Sequence, residues 1–194
     1  MDKKNNPVRV VIVLAVFIAI VVASYFFLSN RPDENVSTEN DAGTLTVVQE
    51  VLARNLKTNY PPTPKEVVKY YSEITRCFYG EKYTDEELVK LAAKSRELFD
   101  TELYNNQSDD EYLQALKREI EAYKEENKAI SSYSVSSSID VEEYKYEGRE
   151  WAQLYCMYSV RVGTKITPVQ EKFLLRRDEE GHWKILGWEL QEDQ

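Results

Sequence analysis

From Val10 to Leu28 the chain is apolar and carries no charge. A helix of that length spans about 28 Å, close to the thickness of a bilayer's hydrocarbon core. In lipid every backbone N–H and C=O has to be paired within the segment, so the run is predicted to be a transmembrane helix despite its many β-branched residues. Ser29 to Gly43 then loses all apolar pattern and reads as a linker. Leu45, Val48, Leu52 and Leu56 recur at helical spacing, a short amphipathic helix that Tyr60-Pro61-Pro62 brings to an end.

Three longer helical periods follow, each opened by a hydroxyl residue with Glu three positions on: Thr63–Glu66, Thr84–Glu87 and Ser108–Glu111. In this capping box the hydroxyl accepts from an orphan N–H of the first turn and the Glu reaches back. The predicted helices are Thr63–Tyr79, Thr84–Asp100 and Ser108–Lys128. The first carries Val67, Tyr70, Tyr71, Ile74, Cys77 and Phe78 on one stripe and stops at Gly80.

After Lys128 the period changes from 3.6 to 2. Tyr133, Val135, Ser137, Ile139 and Val141 alternate with polar residues, and the alternation resumes out of phase at Tyr144 and Tyr146. A phase slip at Glu142-Glu143 predicts one long strand bent by a β-bulge. Trp151–Val162, Val169–Arg177 and His182–Leu190 complete an antiparallel meander through short turns. The expected fold is therefore α+β: a transmembrane helix, then three helices packed on a curved four-stranded antiparallel sheet. The expected layout is a cytoplasmic tail over 1–9, the membrane span over 10–28, a linker with a short helix over 29–62 and an extracytoplasmic domain over 63–194.

Charge fixes the orientation of that layout. Lys3, Lys4 and Arg9 precede the apolar run against Asp2 alone, and positive flanks stay in the cytoplasm. A cleaved signal peptide is the alternative, with Val22-Ala23-Ser24 as its cleavage site, but the apolar run continues past it to Leu28. The whole chain has net charge −9, and removing the basic N-terminus leaves the remainder more acidic still. Such a domain is repelled by phosphate backbones, so nucleic acid is not an expected partner, whereas cations or a basic protein surface are compatible.

Little in the sequence points to chemistry. Cys77 and Cys156 are too few for a disulfide scaffold. Outside the cytoplasm they are either one bridge or two buried thiols. Asp85-Glu86-Glu87 and Asp109-Asp110-Glu111 occupy first helical turns, where carboxylates favour the helix dipole, and no calcium loop or zinc spacing is present; neither metal nor cofactor is expected. Fourteen tyrosines and three tryptophans are the more informative feature. Tyr combines an apolar ring with a polar tip, which suits a half-wet cleft. Tyr71, Tyr158 and Trp183 are the predicted lining of such a cleft for a small apolar ligand.

The stretch Glu171-Lys172-Phe173-Leu174-Leu175-Arg176-Arg177-Asp178-Glu179-Glu180-Gly181-His182-Trp183-Lys184-Ile185 resembles the closing hairpin of the nuclear transport factor 2-like, or cystatin-like, superfamily. Together with Tyr60 to Tyr71, the chain also resembles a membrane-anchored bacterial family of unknown function. The resemblance covers Thr63 to Leu190 and implies a bent sheet wrapped on a long helix. It departs from the superfamily in lacking the usual strand pair between the helices. Enzymes of the superfamily use an Asp or His inside the cone as general base. The one histidine, His182, falls at a hairpin end beside solvent, so no catalytic residue is expected. The preferred reading is a non-catalytic, extracytoplasmic ligand- or protein-binding domain. The resemblance also implies two rivals: an assembly subunit of a secretion or conjugation complex, and an isomerase- or dehydratase-like enzyme.

Overall fold

The computed structural model describes residues 45–191. The apolar run over 10–28 and the tail before it lie outside the described residues, and among those described no helix is long and apolar enough to cross a membrane. The described chain is α+β: helices α1 (Val47–Ala53), α2 (Pro64–Gly80), α3 (Asp85–Glu97), α4 (Thr101–Asn105) and α5 (Asp109–Glu125) precede an antiparallel sheet. Its strands are β1 (Lys128–Val135), β2 (Glu142–Tyr146), β3 (Arg149–Val162), β4 (Lys165–Arg177) and β5 (Trp183–Gln191).

Helix starts follow local chemistry. Full capping boxes form at Thr84 with Glu87 and at Ser108 with Glu111, as the spacing predicts. At Thr63 only half of one forms: its hydroxyl accepts from the Glu66 N–H, and Pro64 occupies the first turn. Thr46 and Gln49 make a further box that opens α1. This helix belongs to the domain rather than to a linker, because Val48, Val51 and the following Leu56 are buried against it. The Tyr70 hydroxyl also donates to the Val51 carbonyl at 2.7 Å. The described folded unit thus includes Val47–Leu56, ahead of Thr63.

The sheet order is β1-β3-β4-β5, with β2 beside β1 on the same edge of β3. β3 pairs with β4 from Trp151 opposite Arg176 to Val162 opposite Lys165. The single bent strand expected over Tyr133–Tyr146 is instead two. Ser136 ends the first by exchanging side-chain and backbone hydrogen bonds with Tyr155. A 3-10 turn over Ser138–Asp140 then carries the chain round to β2 and leaves Ile139 91% exposed. The curved sheet accordingly has five strands, with the interruption where one bulge was expected.

Side chains alternate across β3, and Ala152, Leu154, Cys156, Tyr158 and Val160 point toward the helices. With Phe173, Leu175 and Ile185 they form a core against Val67, Ile74 and Leu91. Each fully buried aliphatic or aromatic side chain contributes about 1.5–3 kcal/mol. α2 runs along this face and ends where its backbone touches β1: a Cβ on Gly80 would stand 2.5 Å from the Ile130 carbonyl oxygen. Leu98 to Asp100 leave α3 and bridge in parallel to Ile185, exchanging two backbone hydrogen bonds with it. This closure is held by a buried ion pair, Arg176 Nη2 to Asp100 Oδ1 at 2.5 Å and Nε to Oδ2 at 3.0 Å. Burial alone would raise the Asp100 carboxyl, but the bonds from Arg176 and from the Glu102 N–H outweigh it and hold it below its ordinary value.

Candidate functional site

α2, α5 and the far half of the sheet do not close on one another, and the gap is a cavity of about 320 Å³. That volume is at the lower end of small-molecule sites. Helical spacing builds the α5 wall, since Tyr112, Ala115, Leu116, Glu119 and Tyr123 recur on one stripe. α2 contributes Tyr71, Thr75, Phe78 and Tyr79 by the same rule. The floor is the helix-facing side of the sheet, where β3 supplies Tyr158, β4 Glu171 and β5 Trp188.

The rings are in mutual contact. Tyr71 stands 5.2 Å from Trp188 and 5.7 Å from Phe173 between centroids, and Tyr79 stands 4.4 Å from Tyr123. Two hydroxyls are tied back into the protein: Tyr158 shares a 2.9 Å hydrogen bond with Ser72, and Tyr112 one of 2.9 Å with Ser95. The Tyr71 hydroxyl has no partner among the described residues, although only 7% of this residue is exposed. Burial pushes the Tyr71, Tyr79 and Tyr158 hydroxyls well above the ordinary phenol range, so each remains a neutral donor.

Glu171 is the unusual group. It is partly buried on the cavity floor, and burial first, then the nearby Glu119 carboxylate, pushes its pKa up to about 7. No hydrogen bond or ion pair to its carboxylate occurs among the described residues. Glu119 itself is exposed at the mouth, as is much of Trp188. Among the described residues no Lys, Arg or His lines the cavity.

Of the three aromatic residues predicted to share a cleft, Tyr71 and Tyr158 line this cavity and Trp183 does not. Trp183 is buried at the opposite end of the sheet, paired with Arg177, with the Arg177 guanidinium 5.9 Å from its ring. Its place is taken by Trp188. A bulge between Leu174 and Leu175 on one strand and Ile185 and Gly187 on the other shifts the phase of β5. Trp183 and Trp188, five residues apart and so on opposite faces of a regular strand, therefore both turn toward the helices, and Trp188 lies opposite Phe173 beside the cavity. Gly187 was the available signal, since glycine inside a strand often marks a bulge. Glu171 was missed although it occupies the same alternate positions as Val169, Phe173 and Leu175, a carboxylate on an otherwise apolar side.

Cys77 and Cys156 are both buried and unbridged. Cys156 Sγ lies 3.3 Å from the Ser72 hydroxyl, and burial pushes both thiols up, Cys77 to about 11, which keeps them protonated. His182 stands outside the cavity on the β4–β5 turn, its ring 4.3 Å from that of Tyr60. Its ligand atoms and those of Asp178 and Glu180 come within 4.8 Å of one another on the surface.

No curated protein matches the sequence. Among solved structures, the periplasmic domain of DotI (crystal form I) is similar, with a TM-score of 0.41 and 14% identity, over 68% of this chain and 96% of that one. A family model described as a domain of unknown function (DUF6715) matches residues 1–188, and the chain belongs to that family.

Proposed function

We propose that this chain is a membrane-anchored, extracytoplasmic binding protein that holds a small molecule in the cavity between α2, α5 and the sheet without transforming it. The observation that carries the reading is the cavity itself: about 320 Å³, walled by aromatic rings, with unpaired polar groups on its lining and an opening at Glu119 and Trp188. The apolar run Val10–Leu28 and its basic flank support anchoring with the domain outside. A long helix lying in the bend of an antiparallel sheet supports the likeness to the nuclear transport factor 2-like superfamily.

The test is native mass spectrometry of the full chain extracted in mild detergent from its own membrane. Bound small molecule is expected on the wild type and not on Ala115→Phe, which fills the cavity from the α5 wall. Equal adducts on both proteins, or none on either, would defeat the reading. Protease added to intact protoplasts should digest residues 45–191, and full protection would overturn the orientation.

A second reading, an isomerase- or dehydratase-like enzyme, is favoured by one observation. A carboxyl titrating near pH 7 on the floor of a cavity is what general acid–base catalysis requires. Turnover of a cavity-bound carbonyl or hydroxyl compound that Glu171→Gln abolishes would favour it over binding. The assembly-subunit reading looks to the other face of the sheet, where the exposed Tyr144 and Tyr146 cluster with Trp151. A stable complex on native extraction, lost on Trp151→Ala, would favour that role.

A further inference from the structure

The cavity has a chemical bias that narrows its ligand. Seven of its lining residues present aromatic rings: Phe78, Trp188 and five tyrosines. Among the described residues its only ionisable groups besides the phenols are two carboxylates, Glu119 at the mouth and Glu171 on the floor. This is more than an acidic cluster, because the acids stand inside a built aromatic enclosure. A second observation points inward. Tyr71 is 93% buried and its hydroxyl is unpartnered among the described residues. The groups whose charges act on it include Tyr112, Tyr158 and Glu171, all of them cavity-lining.

Ring faces carry negative quadrupole charge and attract cations, most strongly when both are withdrawn from water. Carboxylates add full charge in the same sense. A neutral apolar ligand would use the rings and leave Glu171 desolvated and unpaired, which costs free energy. An anion would meet repulsion from every wall. A metal ion would use the carboxylates but gain nothing from the rings. An alkylammonium ion uses all of them together, and a body of a few carbon atoms suits the volume.

We infer that the cavity binds a small organic cation, an alkylammonium group enclosed by the tyrosine and tryptophan rings and countered by Glu171 with Glu119. The inference rests on the proposed binding function and names the ligand class. Glu171 supplies the fixed charge at the inner end, and the Tyr71 hydroxyl accepts from an N–H or O–H of the ligand or donates to its polar tail. Glu119 draws the cation in from solvent.

A pH dependence follows. The groups facing Glu171 are Glu119 and Tyr123 from α5, Tyr71 from α2, and Cys156 and Tyr158 from β3; none is basic. Without a cation its carboxyl titrates at about 7. A bound cation favours the carboxylate, so affinity rises as pH rises through 7 and is lost below it.

The test uses the full chain in nanodiscs, with tryptophan fluorescence and calorimetry as readouts. The probe is choline, compared with its uncharged analogue in which carbon replaces the quaternary nitrogen. The shapes match and neither charge titrates, so only the cation differs. Choline should bind at least about ten-fold more tightly than the analogue. It should lose about ten-fold in affinity between pH 8 and pH 6, as one group of pKa near 7 takes its proton. Glu171→Gln should weaken choline about ten-fold, leave the analogue unchanged and remove the pH dependence; Glu171→Asp should restore part of it. Melting temperatures report whether each variant is folded. Equal affinity for the two probes overturns the cation while leaving the cavity a ligand site. Binding of neither at millimolar concentration also overturns it, and the mass spectrum of the natively extracted protein then decides separately whether the cavity is filled. Undiminished choline binding by Glu171→Gln overturns the role of that carboxylate.

Discussion

Glu171 stands on the floor of the cavity with no cation beside it, and that has a cost in stability as well as a use. Its folded pKa of about 7 lies above the ordinary value of 4.5. A raised carboxyl favours the folded state while it is protonated, so its contribution is fully present below about pH 4.5 and is lost as pH rises through 7. The separation corresponds to on the order of 3 kcal/mol. Wild type and Glu171→Gln are thus expected to be equally stable near pH 4.5, with the Gln variant ahead by up to that amount at pH 8. Urea denaturation at the two pH values measures the gap, and a constant difference would show that the carboxyl is not raised. This residue was legible in the sequence only as a break in chemistry, a charge among Val169, Phe173 and Leu175. Alternation gives the face on which a residue lies, whereas desolvation depends on what the other elements leave open above it.

Helices were more legible than strands because their signals are local. Thr84 and Ser108 cap the elements that their spacing predicts, and α2 ends at Gly80. The usual reason for glycine at a helix end is a left-handed conformation, but here the reason is close approach. The added methyl of Gly80→Ala would meet the Ile130 carbonyl at 2.5 Å, and backbone cannot swing aside as a side chain can. The substitution is expected to destabilise by about 1–3 kcal/mol, although alanine is the better helix former. A chemical-denaturation midpoint equal to the wild type's would contradict that packing. Strand phase failed where pairing partners decide it. Ser136 binds Tyr155 through its side chain and stops β1 early, and the β5 bulge turns Trp188 inward. Both depend on the neighbouring strand, which a single segment's periodicity cannot report.

For the molecule as a whole, the boundary of the folded unit matters most for experiment. Polar composition marks 29–43 as linker, and the sequence reads Leu45 to Leu56 as a short helix within a linker that runs to 62. Burial of Val48, Val51 and Leu56 and the bond from the Tyr70 hydroxyl to Val51 make that segment part of the core. A chain starting at Thr63 exposes the surface these residues cover and leaves Tyr70 unsatisfied. Three buried aliphatic side chains contribute several kcal/mol at about 1.5–3 each, a large part of a domain's total. The form beginning at Thr44 should melt cooperatively and well above one beginning at Thr63; coincident melting curves would return the segment to the linker.

The interruption between β1 and β2 has a consequence for how these molecules behave in a crowd. An outer strand offers a row of free N–H and C=O groups on which another chain's strand can grow. Here that row is cut into pieces of eight and five residues, with a turn between them and charges at Glu142, Glu143 and Lys145 on the shorter piece. A long flat template for fibril-like stacking is absent from this side of the sheet. The chain is thereby protected against the ordered aggregation that its tyrosine-rich strands would otherwise invite.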